Sequence, residues 1–123
     1  VLKDKKDNII YQKSFHFAID IVMLHKELVQ NNKEYVLSKQ LLRSGTSIGA
    51  NIKEALQGQS RKDFVAKMSI ALKEAVESEY WLDLLYETDY ITIELYNSFI
   101  SMIQEIIRLL SSIVKTTKTT INN

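Results

Sequence analysis

Glu77 and Glu79 are the residues whose placement could support chemistry, because Glu79 falls near the middle of the apolar stripe of a predicted helix. A carboxylate in such a place needs a partner or a proton. Arg43, Ser47 and Asn51 recur every four residues along one edge of the preceding helix, so they are expected to meet Glu79 or Glu77. General acid–base work would need a second well-placed carboxylate, or a histidine beside Glu79, and neither is found there. The reading that fits is a polar network that fixes helix register. A di-metal carboxylate site would need Glu-x-x-His on two helices and a Glu from each of two others. His16 and His25 both fall on the first predicted helix, and neither follows a Glu at that spacing. His25, on an apolar stripe, reads as a hydrogen-bonded core histidine. No Walker-type loop, dinucleotide fingerprint or serine-nucleophile motif occurs, and Gly45 and Gly49, four apart, have a packing spacing. With no cysteine, thiolate chemistry and disulfides are excluded. The expectation is a non-enzyme with no catalytic residue, metal or cofactor.

The elements that must position these residues are helices. The chain has 123 residues, of which 46% are hydrophobic and 25% charged, with no proline and three glycines, so little interrupts a helix. That length suits one domain. Apolar spacing and punctuation predict helices over about 8–30, 34–57, 61–87 and 93–116. In the first, Tyr11, Phe15, Ala18, Val22, His25 and Val29 form one stripe, and Phe17, Ile21, Leu24 and Leu28 widen it. Ser60 is the expected N-cap of the third helix, with Asp63 in the reciprocal position of a capping box, and Thr92 that of the fourth. The closing KTTKTTINN is expected to fray. Connections of two to five residues force antiparallel neighbours, so the fold class is all-α: an up-down-up-down antiparallel four-helix bundle.

Two surfaces stand out on that bundle. Ile70, Trp81 and Leu84 fall on the third helix opposite its core side, and Ile19 and Met23 interrupt a polar side of the first. Grouped apolar side chains on a rigid helix suggest an interface, here a homo-oligomer. Lys53, Arg61, Lys62 and Lys67 gather around the turn between the second and third helices. The net charge of +1 gives little bulk attraction to nucleic acid, but a ring would repeat this cluster. Phosphate-backbone contact with RNA or DNA, without sequence readout, is the corresponding function of a nucleic-acid-associated scaffold; the alternative is a protein-partner adaptor or structural oligomer without nucleic-acid binding. No apolar run reaches the roughly 18 residues of a membrane span. VLKDKKDN is too charged for a signal peptide, so a cytoplasmic protein without a membrane partner is expected.

QLLRSGTSIGANIKEA, then GQSRKDF, then IALKEAVESEYWLDLLYETDYI resemble the small four-helix bundle proteins encoded within intervening sequences of bacterial 23S ribosomal RNA genes. The accessory protein of diversity-generating retroelements is similar. The resemblance covers about Phe15 to Leu110. It implies a ring-forming subunit, a homopentamer, and the retroelement members suggest nucleic acid and a reverse transcriptase as partners of basic surfaces. Arg43, Ser47, Asn51, Glu54, Arg61 and Glu77 sit at motif positions, which implies architectural roles within and between subunits. The chain departs from the pattern at Ala55, at Lys73-Glu74 and at Asp89, where the family has glycine, glycine-serine and glycine.

Overall fold

Four helices form where the apolar periodicity is longest: α1 (Lys5–Asn32), α2 (Leu37–Leu56), α3 (Arg61–Glu87) and α4 (Ile93–Asn122). The computed structural model describes residues 5–122, with side chains described for residues 9–120. Helix α2 packs against α1 and α3, and α4 packs against α3 and, more thinly, against α1. The diagonal pairs make no close backbone approach, so the arrangement is the expected up-down-up-down bundle.

The caps decide where each helix begins. Ser60 Oγ accepts the Asp63 N–H at 3.1 Å, and Thr92 Oγ1 accepts the Leu95 N–H at 3.2 Å, as their residue types predict. The second helix begins at Leu37, three residues later than its spacing predicts. The buried Glu34 is the reason: its carboxylate accepts from the N–H groups of Val36, Leu37 and Ser38 at 3.2, 2.7 and 2.9 Å. The Ser38 hydroxyl returns a bond to the Glu34 carbonyl at 2.8 Å. One side chain thus satisfies three donors that a helix start leaves free, and its charge suits the positive end of the α2 dipole.

Two chain reversals use the left-handed region, at Lys33 (φ 55°) and Asp89 (φ 68°). At Asp89 the N–H groups of Asp89 and Tyr90 return to the carbonyls of Tyr86 and Leu85 at 3.0 and 2.9 Å. That is the pairing of a Schellman ending, which glycine enters without strain. The final helix also corrects the sequence reading, since it continues to Asn122 and does not stop near Thr116. Thr117 is buried, and the hydroxyls of Thr117, Thr119 and Thr120 donate to carbonyls one turn back.

In α1 the innermost stripe is Ile10, Ser14, Phe17, Ile21, Leu24 and Leu28. The Tyr11–Val29 stripe lies on its flank, half-buried apart from the exposed Phe15. Both stripes have helical spacing, and the neighbouring helices select the one that packs. Facing it, α2 buries Leu41, Ser44, Gly45, Ile48, Gly49 and Ile52. A methyl group on Gly45 would stand 3.0 Å from Ile21 Cγ2, and one on Gly49 would stand 3.3 Å from Ser14 Oγ. Both glycines therefore let α1 approach closely.

Three substitutions follow, each read by urea unfolding. Gly45→Ala should lose about 1–3 kcal/mol by overpacking against Ile21. Glu34→Ala should lose about 1–2 kcal/mol with the cap. Asp89→Gly should gain about 1 kcal/mol by relieving the left-handed residue.

Candidate nucleic-acid interface

The turn between α2 and α3 holds the four predicted cations. Lys53 lies in the last turn of α2, where a positive charge suits the helix dipole. Arg61 and Lys62 open α3, where the dipole disfavours cations, and both are exposed. Lys53 Nζ stands 5.7 Å over the Tyr11 ring, and Lys67 Nζ pairs with Glu54 at 2.8 Å. The Glu54–Lys67 pair is largely exposed and contributes little to stability. A shallow groove of about 670 Å³ runs between Lys53 and Lys67, over Gly58 and Asp63.

The antiparallel topology adds more cations to this end. Helix α1 begins here and α4 ends here, which brings Lys13, Arg108, Lys115 and Lys118 to the same half of the bundle. Glu54, Asp63 and Glu105 oppose them, and Lys13 pairs with Glu105 at 3.2 Å. The other end gathers Glu27, Glu34, Glu79, Asp83, Glu87, Asp89 and Glu94, against Lys26, Lys33 and Lys39. The near-neutral total thus conceals a separation of charge along the bundle axis. Sequence reasoning met the cations of one turn and missed this separation, because it becomes visible only when antiparallel helices are laid side by side.

The predicted polar network resolves into separate pairs. Arg43 binds Glu77 closely and Glu74 at 3.5 Å, and Glu77 also accepts from Trp81 Nε1 at 3.3 Å. The hydroxyl of Ser47 and the amide of Asn51 donate within their own helix, to the carbonyls of Arg43 and Ser47. Glu79 is not a core residue: it is half-buried and accepts from Gln104 of α4 at 3.2 Å. Ser78, one position earlier, is the buried polar group, and its hydroxyl donates to Ser44 Oγ of α2 at 2.9 Å. The two are about 100° apart around the helix, and that turn takes Glu79 off the buried stripe and onto its flank. His25 is half-buried, and its buried Nδ1 has no hydrogen-bond partner, so the expected bond is not formed. Among the described residues no three His, Asp or Glu side chains are grouped to hold a metal ion.

The predicted apolar face of α3 divides by burial. Ile70 is 41% exposed, whereas Trp81 and Leu84 are half-buried, Trp81 packing on the core with its ring edge-on to Tyr80 at 5.0 Å. Tyr80 (58% exposed) and Val76 complete the outward stripe. Phe15 (52% exposed), Ile19 and Met23 form the equivalent stripe on α1, diagonally opposite. The sequence reading sets Ile19 and Met23 on this outward side but places Phe15 on the inner stripe; the spacing of four residues from Phe15 to Ile19 to Met23 is the signal that joins it to them.

The family model described as 23S rRNA-intervening sequence protein matches residues 6–112. The chain belongs to this family. A crystal structure of a protein of unknown function from the S23 ribosomal protein family of Bacteroides thetaiotaomicron VPI-5482 is similar, with 60% identity and a TM-score of 0.88. The match covers 89% of this chain and 98% of that one. A comparison with curated proteins finds no match. No helix among the described residues is long and apolar enough to cross a membrane.

At the acidic end, Tyr96 donates to Asp83 at 2.5 Å, which together with burial and nearby carboxylates pushes its pKa up to about 12. Stability from this bond is full below the ordinary tyrosine pKa of about 10 and is lost as pH rises through about 12. Spectrophotometric titration should show one of the six tyrosines ionising late, and Tyr96→Phe should abolish that component.

Proposed function

We propose that the protein is a non-enzymatic subunit of a homo-oligomeric ring, and that the ring acts as a scaffold on RNA or DNA through its basic end. The observation that carries this reading is the gathering of cations at one end of a nearly neutral chain. Arg61 and Lys62 matter most, because the dipole of α3 gives the fold no reason to place them in its first turn. Phosphates would meet Lys53, Arg61, Lys62 and Lys67 without reading bases. In a cytoplasmic ring of parallel copies, every basic end would lie on one face, and avidity would offset the modest charge of each subunit.

The ring itself is supported by two apolar stripes. Among the described residues, α1 and α3 carry exposed large apolar side chains along their outer sides, whereas α2 has none and those of α4, Ile93 and Leu95, lie in its first turn. Phe15 and Ile19 point away from the bundle on one flank; Ile70, Val76 and Tyr80 do so on the diagonally opposite one. Two different patches on opposite flanks suit a heterologous contact, which closes into a ring when its rotation allows. Resemblance to the ring-forming members favours five copies. A protein partner such as a reverse transcriptase, suggested by the retroelement members, would share the basic face.

Fluorescence anisotropy with an RNA hairpin and a matched DNA duplex tests the scaffold. Binding should weaken steeply with salt, and the triple reversal K53E/R61E/K62E should lower affinity at least about tenfold. Absence of binding at low salt would refute it. For the ring, ultracentrifugation of the wild type should give a multiple of 14.2 kDa. Ile19→Asp or Tyr80→Asp should reduce it to the monomer with helicity retained; a monomeric wild type would exclude the ring.

A further inference from the structure

The seam between α1 and α4 is the thinnest in the bundle, and a groove of about 400 Å³ opens along it. Its floor is Leu24 and Phe99, and its walls are Met23, Leu95 and Met102. Met23 is 58% exposed and Leu95 38%, so apolar surface faces solvent here. Asp20 and Glu27 stand on the rim, no lysine or arginine lines the groove, and neither carboxylate has a cationic partner among the described residues. Glu94, in the first turn of α4, adds a further negative charge at the same end.

We propose that this groove docks a cationic amphipathic helix of a partner protein. The lining from Asp20 to Glu27 covers two helical turns, roughly 10 Å, the length over which a docked helix presents anchors at i, i+3/i+4 and i+7. Its apolar anchors would lie on Leu24 and Phe99, and lysines or arginines beside them would meet Asp20 and Glu27. Methionine walls suit such a ligand, because the unbranched thioether adapts to anchors of different shape. The charge selects the partner, since an acidic helix would set like charges together at the rim. This surface belongs to the acidic half of the bundle and is distinct from the basic end; it shares Met23 with the outward stripe of α1, whereas Leu24, Leu95, Phe99 and Met102 belong to the groove alone.

The chain has three methionines, Met23, Met68 and Met102, and Met68 is fully buried in the core. Methyl-¹³C-methionine NMR therefore carries its own control. The probe is a synthetic 15-residue leucine–lysine amphipathic helix, and the comparison peptide has glutamate in place of each lysine. Saturable shifts of the Met23 and Met102 methyls are expected with the lysine peptide, while Met68 stays in place and the glutamate peptide has no effect. Asp20→Lys combined with Glu27→Lys should weaken binding at least tenfold, whereas Asp83→Lys with Asp89→Lys, at the same end but outside the groove, should not. Unmoved Met23 and Met102 signals would overturn the proposal. Equal shifts with both peptides would overturn it too, as would binding that the rim reversals leave intact. Shifts that depend on protein concentration alone, with the peptide excluded, would assign the groove to a second copy and equally overturn it.

Discussion

The close seating of α2 between α1 and α3 is the constraint on which the rest of the bundle depends. On one side, Gly45 and Gly49 leave no side chain between the backbone of α2 and Ile21 or Ser14 of α1. On the other, Ser44 meets Ser78 of α3 in a buried hydrogen bond. Such a bond contributes only about 1 kcal/mol net. Both hydroxyls also reach carbonyls of their own helices, Ser78 that of Glu74 at 2.9 Å and Ser44 that of Leu41 at 3.4 Å, so the bond favours this register modestly and the glycine contacts decide the seating. The Arg43–Glu77 pair lies at the exposed edge of the same seam and agrees with that register. With three helices fixed in this way, α4 closes the bundle mainly through α3, and its seam with α1 stays open enough to form a groove.

The division of charge between the two ends is not a product of helix stabilisation. In an antiparallel bundle each end holds two helix starts and two helix ends, so dipole compensation would mix the signs there. Lys53 obeys that rule at the end of α2, and Glu34 and Glu94 obey it at the starts of α2 and α4. At the start of α3, Asp63 obeys it but is outnumbered by Arg61 and Lys62, and Asp83 and Glu87 violate it at the end of the same helix. Helix α3 is thus charged against its own dipole at both termini. It is also the helix whose outer side carries Ile70, Val76 and Tyr80. The departures from what folding alone would choose are concentrated on this one element.

The fold was legible because the apolar spacing is long and no proline interrupts it. Ser60 and Thr92 marked two helix starts, since a hydroxyl has few other uses at those positions. Glu34 hid its role: a glutamate just before a helix usually reads as part of it, and only the structure brings its carboxylate back onto three N–H groups. The left-handed residue at Asp89 stood in the sequence as a departure from a family glycine, and the backbone supplies the reason for that glycine. The candidate site was legible only in part. Four cations near a turn could be seen, but Arg108, Lys115 and Lys118 lie some fifty residues further on and join them only through topology. The misplacement of Glu79 is one of angle: at about 100° per residue it falls roughly 70° from the centre of the buried stripe of α3, on the flank, whereas Ser78 falls within the stripe.

Distance along the bundle decides whether the two surfaces can act together. The groove between Asp20 and Glu27 lies some 17 or 18 residues along the helices from the start of α3, which is roughly 25 Å at 1.5 Å per residue. The Debye length at physiological ionic strength is about 8 Å. The acidic rim therefore contributes almost nothing to the field at Arg61 and Lys62, and the basic end contributes as little at the rim. A net charge near zero keeps non-specific binding low, while each end retains a strong local sign. A phosphate backbone at one end and a cationic helix at the other would not compete, and neither would need to displace the other's counterions. In a bundle with the same composition but mixed charges the local fields would largely cancel, so the order of charge along the helices sets the sign of each end and the total does not.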